Sequence, residues 1–255
     1  MLRYEVEGTK ATLTIDDPQR RNPLSNATMA ELAEAVHTGA DDGEVRILVI
    51  TGSGARTFSA GGDLSGGFVD SPLADHPERA ALVQLVRALR GCPKPTIARV
   101  NGDAFGGGFG LLAACDIAIA AESARIGTPE IDVGLWPMMI STVLLPLVPR
   151  RALLEMMLTG RLLSAGEALS FGVVNRVVPT AELDAAVDEV VEVLLAKSPT
   201  ALAMGKRAFY AIADLDTNSA LDYLHIGLTA IASTDDAAEG VAAFLEKRRP
   251  VWGGS

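Results

Sequence analysis

Histidine is scarce: three residues in a chain of 255, His37, His76 and His225, stand in unrelated contexts, so a surface or capping role is expected of each. No His-Glu-x-x-His pair is present, which excludes the commonest helical zinc motif. Cysteine occurs twice, at Cys92 and Cys115, with neither metal-ligand spacing nor a disulfide framework, and that usage fits a reducing compartment. Cations are the minority charge, with 22 Lys+Arg against 32 Asp+Glu and a net charge of -10. No run of five or more Lys/Arg occurs, so nucleic acid is not the expected partner. Long apolar runs are also missing. The longest uncharged stretch, from Val133 to Pro149, is shorter than the roughly 20 residues of a spanning helix and is broken by Pro137, Pro146 and Pro149. It reads as buried core or pocket lining, without a membrane role. The first residues, Met1-Leu2-Arg3-Tyr4-Glu5, alternate and carry acid early, unlike a signal peptide, and a cytoplasmic location is expected. On that reading the sequon Asn26-Ala27-Thr28 is idle.

What is present is an ordinary globular composition, 49% hydrophobic and 21% charged, at a length suited to one compact domain with at most a small appendage. Leu2, Tyr4 and Val6, then Ala11, Leu13 and Ile15, alternate around Glu7-Gly8-Thr9-Lys10, the pattern of a half-buried hairpin. Met29, Leu32, Ala33 and Val36 recur at helical spacing up to Gly39, which is expected to end that helix. Buried strands are expected at 45–51 and 95–100, separated by a helix over 78–90. Residues 66–77 are polar and glycine-bearing and read as a mobile surface loop. From Pro179 onward the periodicity is helical throughout. The class is therefore α/β, divided into a core at 1–178 and a helical region at 179–255.

Gly52-Ser53-Gly54 follows a strand but has Thr57 where a dinucleotide fingerprint needs its third glycine, and neither a Walker A sequence nor a nucleophile elbow is found. Two glycine-rich turns remain: Phe58-Ser59-Ala60-Gly61-Gly62-Asp63-Leu64 and Asn101-Gly102-Asp103-Ala104-Phe105-Gly106-Gly107-Gly108-Phe109-Gly110. Each lies after a strand or before a helix, where bare N–H groups can face a ligand; each also fits an ordinary tight turn. In Gly127-Thr128-Pro129-Glu130-Ile131-Asp132, Glu130 precedes the long apolar stretch. Low dielectric would raise its pKa and suit it to proton transfer; a capping or salt-bridged glutamate is the structural alternative.

Taken in order, Ser59-Ala60-Gly61-Gly62-Asp63, Asn101-Gly102 with Gly106-Gly107-Gly108, Ala114-Cys115-Asp116-Ile117, Thr128-Pro129-Glu130 with Val133-Gly134-Leu135, and Phe171-Gly172-Val173-Val174 resemble the crotonase (enoyl-CoA hydratase/isomerase) family over essentially the whole chain. The resemblance implies a spiral of β-β-α turns, a C-terminal helical region that builds trimers or hexamers, and an acyl-CoA thioester substrate. Metal and further cofactor are not implied, coenzyme A being part of the substrate. By motif position the oxyanion hole would be the N–H groups of Gly62 and Gly107, with Glu130 the proton-transfer residue. Arg21, Asn22, Leu24, Ala60, Gly61, Asp63 and Leu64 would meet coenzyme A, and Lys247, from this or a neighbouring subunit, would meet its phosphates.

Two departures from the family pattern matter. Gly110 stands where hydratases of the family carry a second glutamate, and Met138-Met139-Ile140-Ser141 replaces a glycine-rich turn after Pro137. One glutamate suffices to shift a double bond, because a single base can take a proton and return it nearby. The resemblance therefore implies 3-enoyl-CoA to 2-enoyl-CoA isomerisation first, with 2-enoyl-CoA hydration and catalytically weak acyl-CoA binding as alternatives. Trp136, Met138 and Met139 offer either an apolar wall for an acyl chain or core packing.

Overall fold

The computed structural model describes residues 1–64, 70, 76–77 and 79–254. The chain opens with the expected hairpin: β1 (Leu2–Glu7) and β2 (Lys10–Ile15) pair antiparallel, with Glu7 opposite Lys10. After the short β3 (Pro23–Leu24), Ser25 caps α1 (Asn26–Asp41) by accepting the Thr28 backbone N–H. Gly39 does not end this helix, which runs two residues further. It is buried where a Cβ would stand 3.1 Å from Leu48 Cδ2, so its bareness lets α1 lie close on the sheet.

Three strand-strand-helix passes follow. They are β4 (Ile47–Gly52), β5 (Thr57–Ser59) and β6 (Gly61–Gly62) with α2 (Ala80–Gly91); β7 (Thr96–Val100) and β8 (Asp103–Phe105) with α3 (Gly107–Ala114); and β9 (Ile117–Ala121) and β10 (Arg125–Gly127), which lead through a 3-10 turn at Pro129–Val133 to α4 (Ser141–Leu144) and α5 (Arg150–Thr159). Then come β11 (Leu162–Ser164), α6 (Ala165–Ser170), β12 (Arg176–Val178) and four helices, α7 (Leu183–Leu195), α8 (Pro199–Ala211), α9 (Thr217–Ala232) and α10 (Asp235–Leu245). In each pass one strand joins a six-stranded sheet ordered β1-β2-β4-β7-β9-β12, and the next joins a four-stranded sheet ordered β11-β10-β8-β5. This is the α/β spiral with a helical end that the sequence leads one to expect. The anticipated loop at 66–77 lies outside the described residues apart from 70, 76 and 77.

The centre of the large sheet, β4, β7 and β9, is buried on both faces, which explains why β4 is apolar at successive positions rather than alternating. Leu48 and Ile50 face the main core with α1, while Ile47 and Val49 pack with Ile97, Ile119 and α7 residues Leu183, Val187 and Val191. The uncharged stretch 133–149 is only half core. Ile140, Val143, Leu144 and Val148 are buried, whereas Val133, Met138, Leu145 and Leu147 are exposed. No helix among the described residues is long and apolar enough to cross a membrane.

Candidate active site

The site follows from the register of the smaller sheet. β5, β8 and β10 are neighbours and run parallel, with Ser59 opposite Ala104 and Phe105 opposite Gly127. Their carboxyl ends therefore deliver three loops to one place: Ala60–Gly62, Gly106–Gly107 and Thr128–Glu130. The Gly106 N–H donates to the Gly127 carbonyl at 2.9 Å and ties the second loop to the third. Crevices outside the carboxyl ends of parallel strands are where open α/β sheets bind ligands.

Glycine is required at positions 61 and 106 by contact and by backbone angle. Gly61 has φ +90, and a Cβ there would stand 2.6 Å from the Phe105 carbonyl oxygen and 3.1 Å from the Gly107 nitrogen. A Cβ on Gly107 would lie 3.5 Å from the Gly62 nitrogen, so the two N–H groups share one small space. Gly61 N donates to Ser59 Oγ (3.1 Å) and Asp63 N to the Leu24 carbonyl (3.2 Å), which leaves the intervening Gly62 N–H aimed to the other side of the strand. Gly107 is the first residue of α3, and its N–H has no partner within the helix. The helix dipole adds to its pull on negative charge.

Glu130 closes the site. Pro129 starts the 3-10 turn after β10, and Gly106 is so near that a Cβ there would meet Glu130 Oε1 at 2.9 Å. The carboxylate thus stands against the residue that precedes the Gly107 donor. Glu130 is half-buried and its Oε2 is a buried oxygen with no hydrogen-bond partner among the described residues. Burial pushes its carboxyl above the usual carboxylate range, outweighing a backbone hydrogen bond that lowers it. Among the described residues it neither caps a helix through its side chain nor sits in a salt bridge; it is a partly dry carboxylate beside the loop that carries Gly107.

Over residues 5–255 the chain matches the family model described as enoyl-CoA hydratase/isomerase. The chain belongs to this family. A carnitinyl-CoA dehydratase of Salmonella heidelberg is 38% identical over 261 residues, covering 99% of this chain and 98% of that one. A putative enoyl-CoA hydratase of Thermus thermophilus is 33% identical over 249 residues, covering 96% and 97%. A crystal structure of enoyl-CoA hydratase from Mycobacterium smegmatis is similar at a TM-score of 0.94 and 38% identity, covering 98% of both chains. The crotonase fold, and an enzyme of the crotonase family, are thereby established.

Within this crotonase fold the remaining residues are placed unevenly. Leu24 and Ala60 are held at the first glycine turn, Leu24 by pairing with Gly62 and Ala60 by its N–H to the Arg21 carbonyl. Asn22 is fully buried. Its side chain donates to the Ser53 and Thr57 carbonyls and accepts the Asp17 N–H, so it fixes the turn from within. Arg21 is exposed at φ +67, lies over the Phe105 ring and is 3.4 Å from Asp103, while Asp63 is held by Arg20 at 2.8 Å. Asp103 mainly binds Arg125, through both its backbone N–H and its guanidinium. Leu64 and Met138 are exposed, Trp136 packs half-buried on the core, and Lys247 is exposed at φ +58 beyond α10. Ile140 is the residue that sequence reasoning missed. A Cβ on Gly110 would stand 2.2 Å from Ile140 Cγ2, so Ile140 fills the space a side chain at position 110 would need.

Proposed function

We propose that this enzyme moves the double bond of a 3-enoyl-CoA thioester to the 2-position, with Glu130 as its one base. The observation that carries the reading is the occupation of the position-110 space by Ile140, so that position 110 supplies no second carboxylate while Glu130 stands against Gly106. In this scheme the thioester oxygen lies between the N–H groups of Gly62 and Gly107. Glu130 takes a proton from C2 as the C1 carbonyl becomes an enolate, and electrons delocalise over C1 to C4. The same carboxyl then returns the proton to C4, leaving the double bond between C2 and C3. Donors already aimed at the developing oxyanion avoid the reorganisation that water would need, and one such donor is typically worth about 10²–10³ in kcat. The raised pKa of Glu130 brings its basicity closer to that needed for a carbon acid.

Arg21 and Lys247 would supply cations to the coenzyme A phosphates, Lys247 across a subunit boundary in a trimer or dimer of trimers, assembled through residues 179–255 in the cytoplasm. The chemistry calls on no metal or redox group. The relatives, a dehydratase and a putative hydratase, favour a second reading in which water is added to a 2-enoyl-CoA. Incubation with a 3-enoyl-CoA and separately with a 2-enoyl-CoA, followed by mass and chromatographic analysis, separates the two. The expected product is an equal-mass 2-enoyl thioester whose formation falls about 10²–10⁴-fold in Glu130→Gln. A product heavier by one water, formed faster than the isomer, would replace isomerase with hydratase, and thioester binding without turnover would leave only an acyl-CoA-binding role.

A further inference from the structure

Away from the oxyanion turn, Leu82 and Val86 of α2, Met139, and Ala203 and Tyr210 of α8 help wall a cavity of about 590 Å³. That volume is in the range of small-molecule sites, and its walls are mostly apolar as such sites are. Along the chain its lining lies next to the site. Met139 precedes Ile140, whose side chain touches the position-110 space on α3, one helical turn from Gly107.

The polar content of this cavity is of one sign. Arg87 and Arg90, one turn apart on α2, and Arg207 on α8 all line it, and no acid does among the described residues. Several other arginines are paired with acids: Arg20 meets Asp63, Arg125 meets Asp103, Arg161 meets Glu167 and Arg248 meets Glu239. In a chain with ten more acids than cations, three arginines with no ion pair among the described residues, gathered around one apolar space, form a positive field that an anion would relieve. Tyr210 does not compete for that anion. Its hydroxyl donates to Asp116 at 2.9 Å, Asp116 is in turn ion-paired with Lys206 at 2.7 Å, and the Tyr210 ring lies 5.1 Å from the Arg90 guanidinium.

We infer that this cavity receives the far end of the acyl group, and that this end carries a carboxylate: the substrate class is the coenzyme A monothioester of a dicarboxylic acid. The inference rests on the proposed thioester position at Gly62 and Gly107. The apolar walls take the methylene chain, and the arginine forks take the terminal carboxylate. A methyl-ended chain fills the walls but leaves the cations unanswered, and a cationic end is repelled.

Calorimetric titration with adipoyl-CoA, hexanoyl-CoA and free coenzyme A tests this without turnover, since none carries a double bond. Adipoyl-CoA is expected to bind about tenfold or more tightly than hexanoyl-CoA, as charge-assisted hydrogen bonds require. The preference should shrink to about twofold in Arg90→Gln/Arg207→Gln and reverse in Arg207→Glu, which changes only an exposed side chain and so guards against misfolding, while free coenzyme A binds all three proteins alike. Equal affinity of the wild type for the two thioesters would overturn the inference. So would a parallel loss of coenzyme A affinity in the variants, because the cavity would then hold a phosphate of the cofactor portion. Absence of isomerisation would count against the reaction assigned to Glu130 but would leave these affinities to be read on their own.

Discussion

At the scale of single residues, the decisive feature is a carboxylate kept partly dry without a cation to answer it. The Glu130 pKa is raised, so its neutral form is favoured by the fold relative to the unfolded chain. The native state then binds the proton more tightly, and stability falls as pH rises from the ordinary glutamate range through the raised value, flattening above it. Glu130→Gln cannot ionise and lacks this slope. Melting temperatures of the two proteins between pH 4 and 9 should therefore diverge, the wild type losing ground across that window. A constant difference would mean that Glu130 has an ordinary pKa. On the proposed mechanism the same ionisation acts on activity with the opposite sense, because only the carboxylate accepts a proton: kcat/KM should rise with pH over the window in which the wild type loses relative stability.

At the scale of elements, α3 and the segment before α4 form an interlocked pair. Gly110 faces Ile140 with no room for even a Cβ, so Gly110→Ala forces overpacking that costs about 1–3 kcal/mol, offset by at most about 1 kcal/mol of helix propensity. Ile140→Ala alone opens a cavity worth about 2–5 kcal/mol. In the double variant the new methyl enters the vacated space, so denaturant unfolding should show a loss smaller than the sum of the single losses. Strict additivity would show that the contact is not shared. This pairing also marks how far the sequence could be read. The hairpin, β4, β7 and the helical character of the C-terminal region were legible because apolar period or β-branched runs announce them. Gly61, Gly62, Gly107 and Glu130 were legible as motifs in order, though only the parallel register of β5, β8 and β10 brings them together. Ile140 carried no signal, since its role depends on a contact between positions 30 apart. Gly39 misled because a glycine can permit close packing inside a helix as readily as it can end one.

At the scale of the whole molecule, the single chain leaves its last helices underused. α8 and α9 contain no fully buried residue, and Ile226 (72% exposed), Leu228 (67%), Phe244 (82%) and Leu245 (73%) stand in solvent on α9 and α10. Helices in proteins draw most of their stability from packing an apolar face, and contiguous exposed apolar patches of this kind mark association surfaces. By contrast α7 is packed on the large sheet, and the chain end is tied back by Asp236, which accepts the Gly253 and Gly254 N–H groups. The region is thus anchored at its start and its finish, with its middle open to another copy. The expectation is a particle of three or six times the 26.6 kDa protomer by light scattering at micromolar concentration. Leu228→Asp with Phe244→Asp should shift it toward the protomer while far-ultraviolet dichroism stays near wild type, because neither side chain belongs to the core. If Lys247 serves a neighbour's phosphates, KM for the thioester should rise on dissociation more than kcat falls, since Glu130 and the two glycine donors all lie within one chain. A wild-type particle of a single protomer would remove both expectations at once.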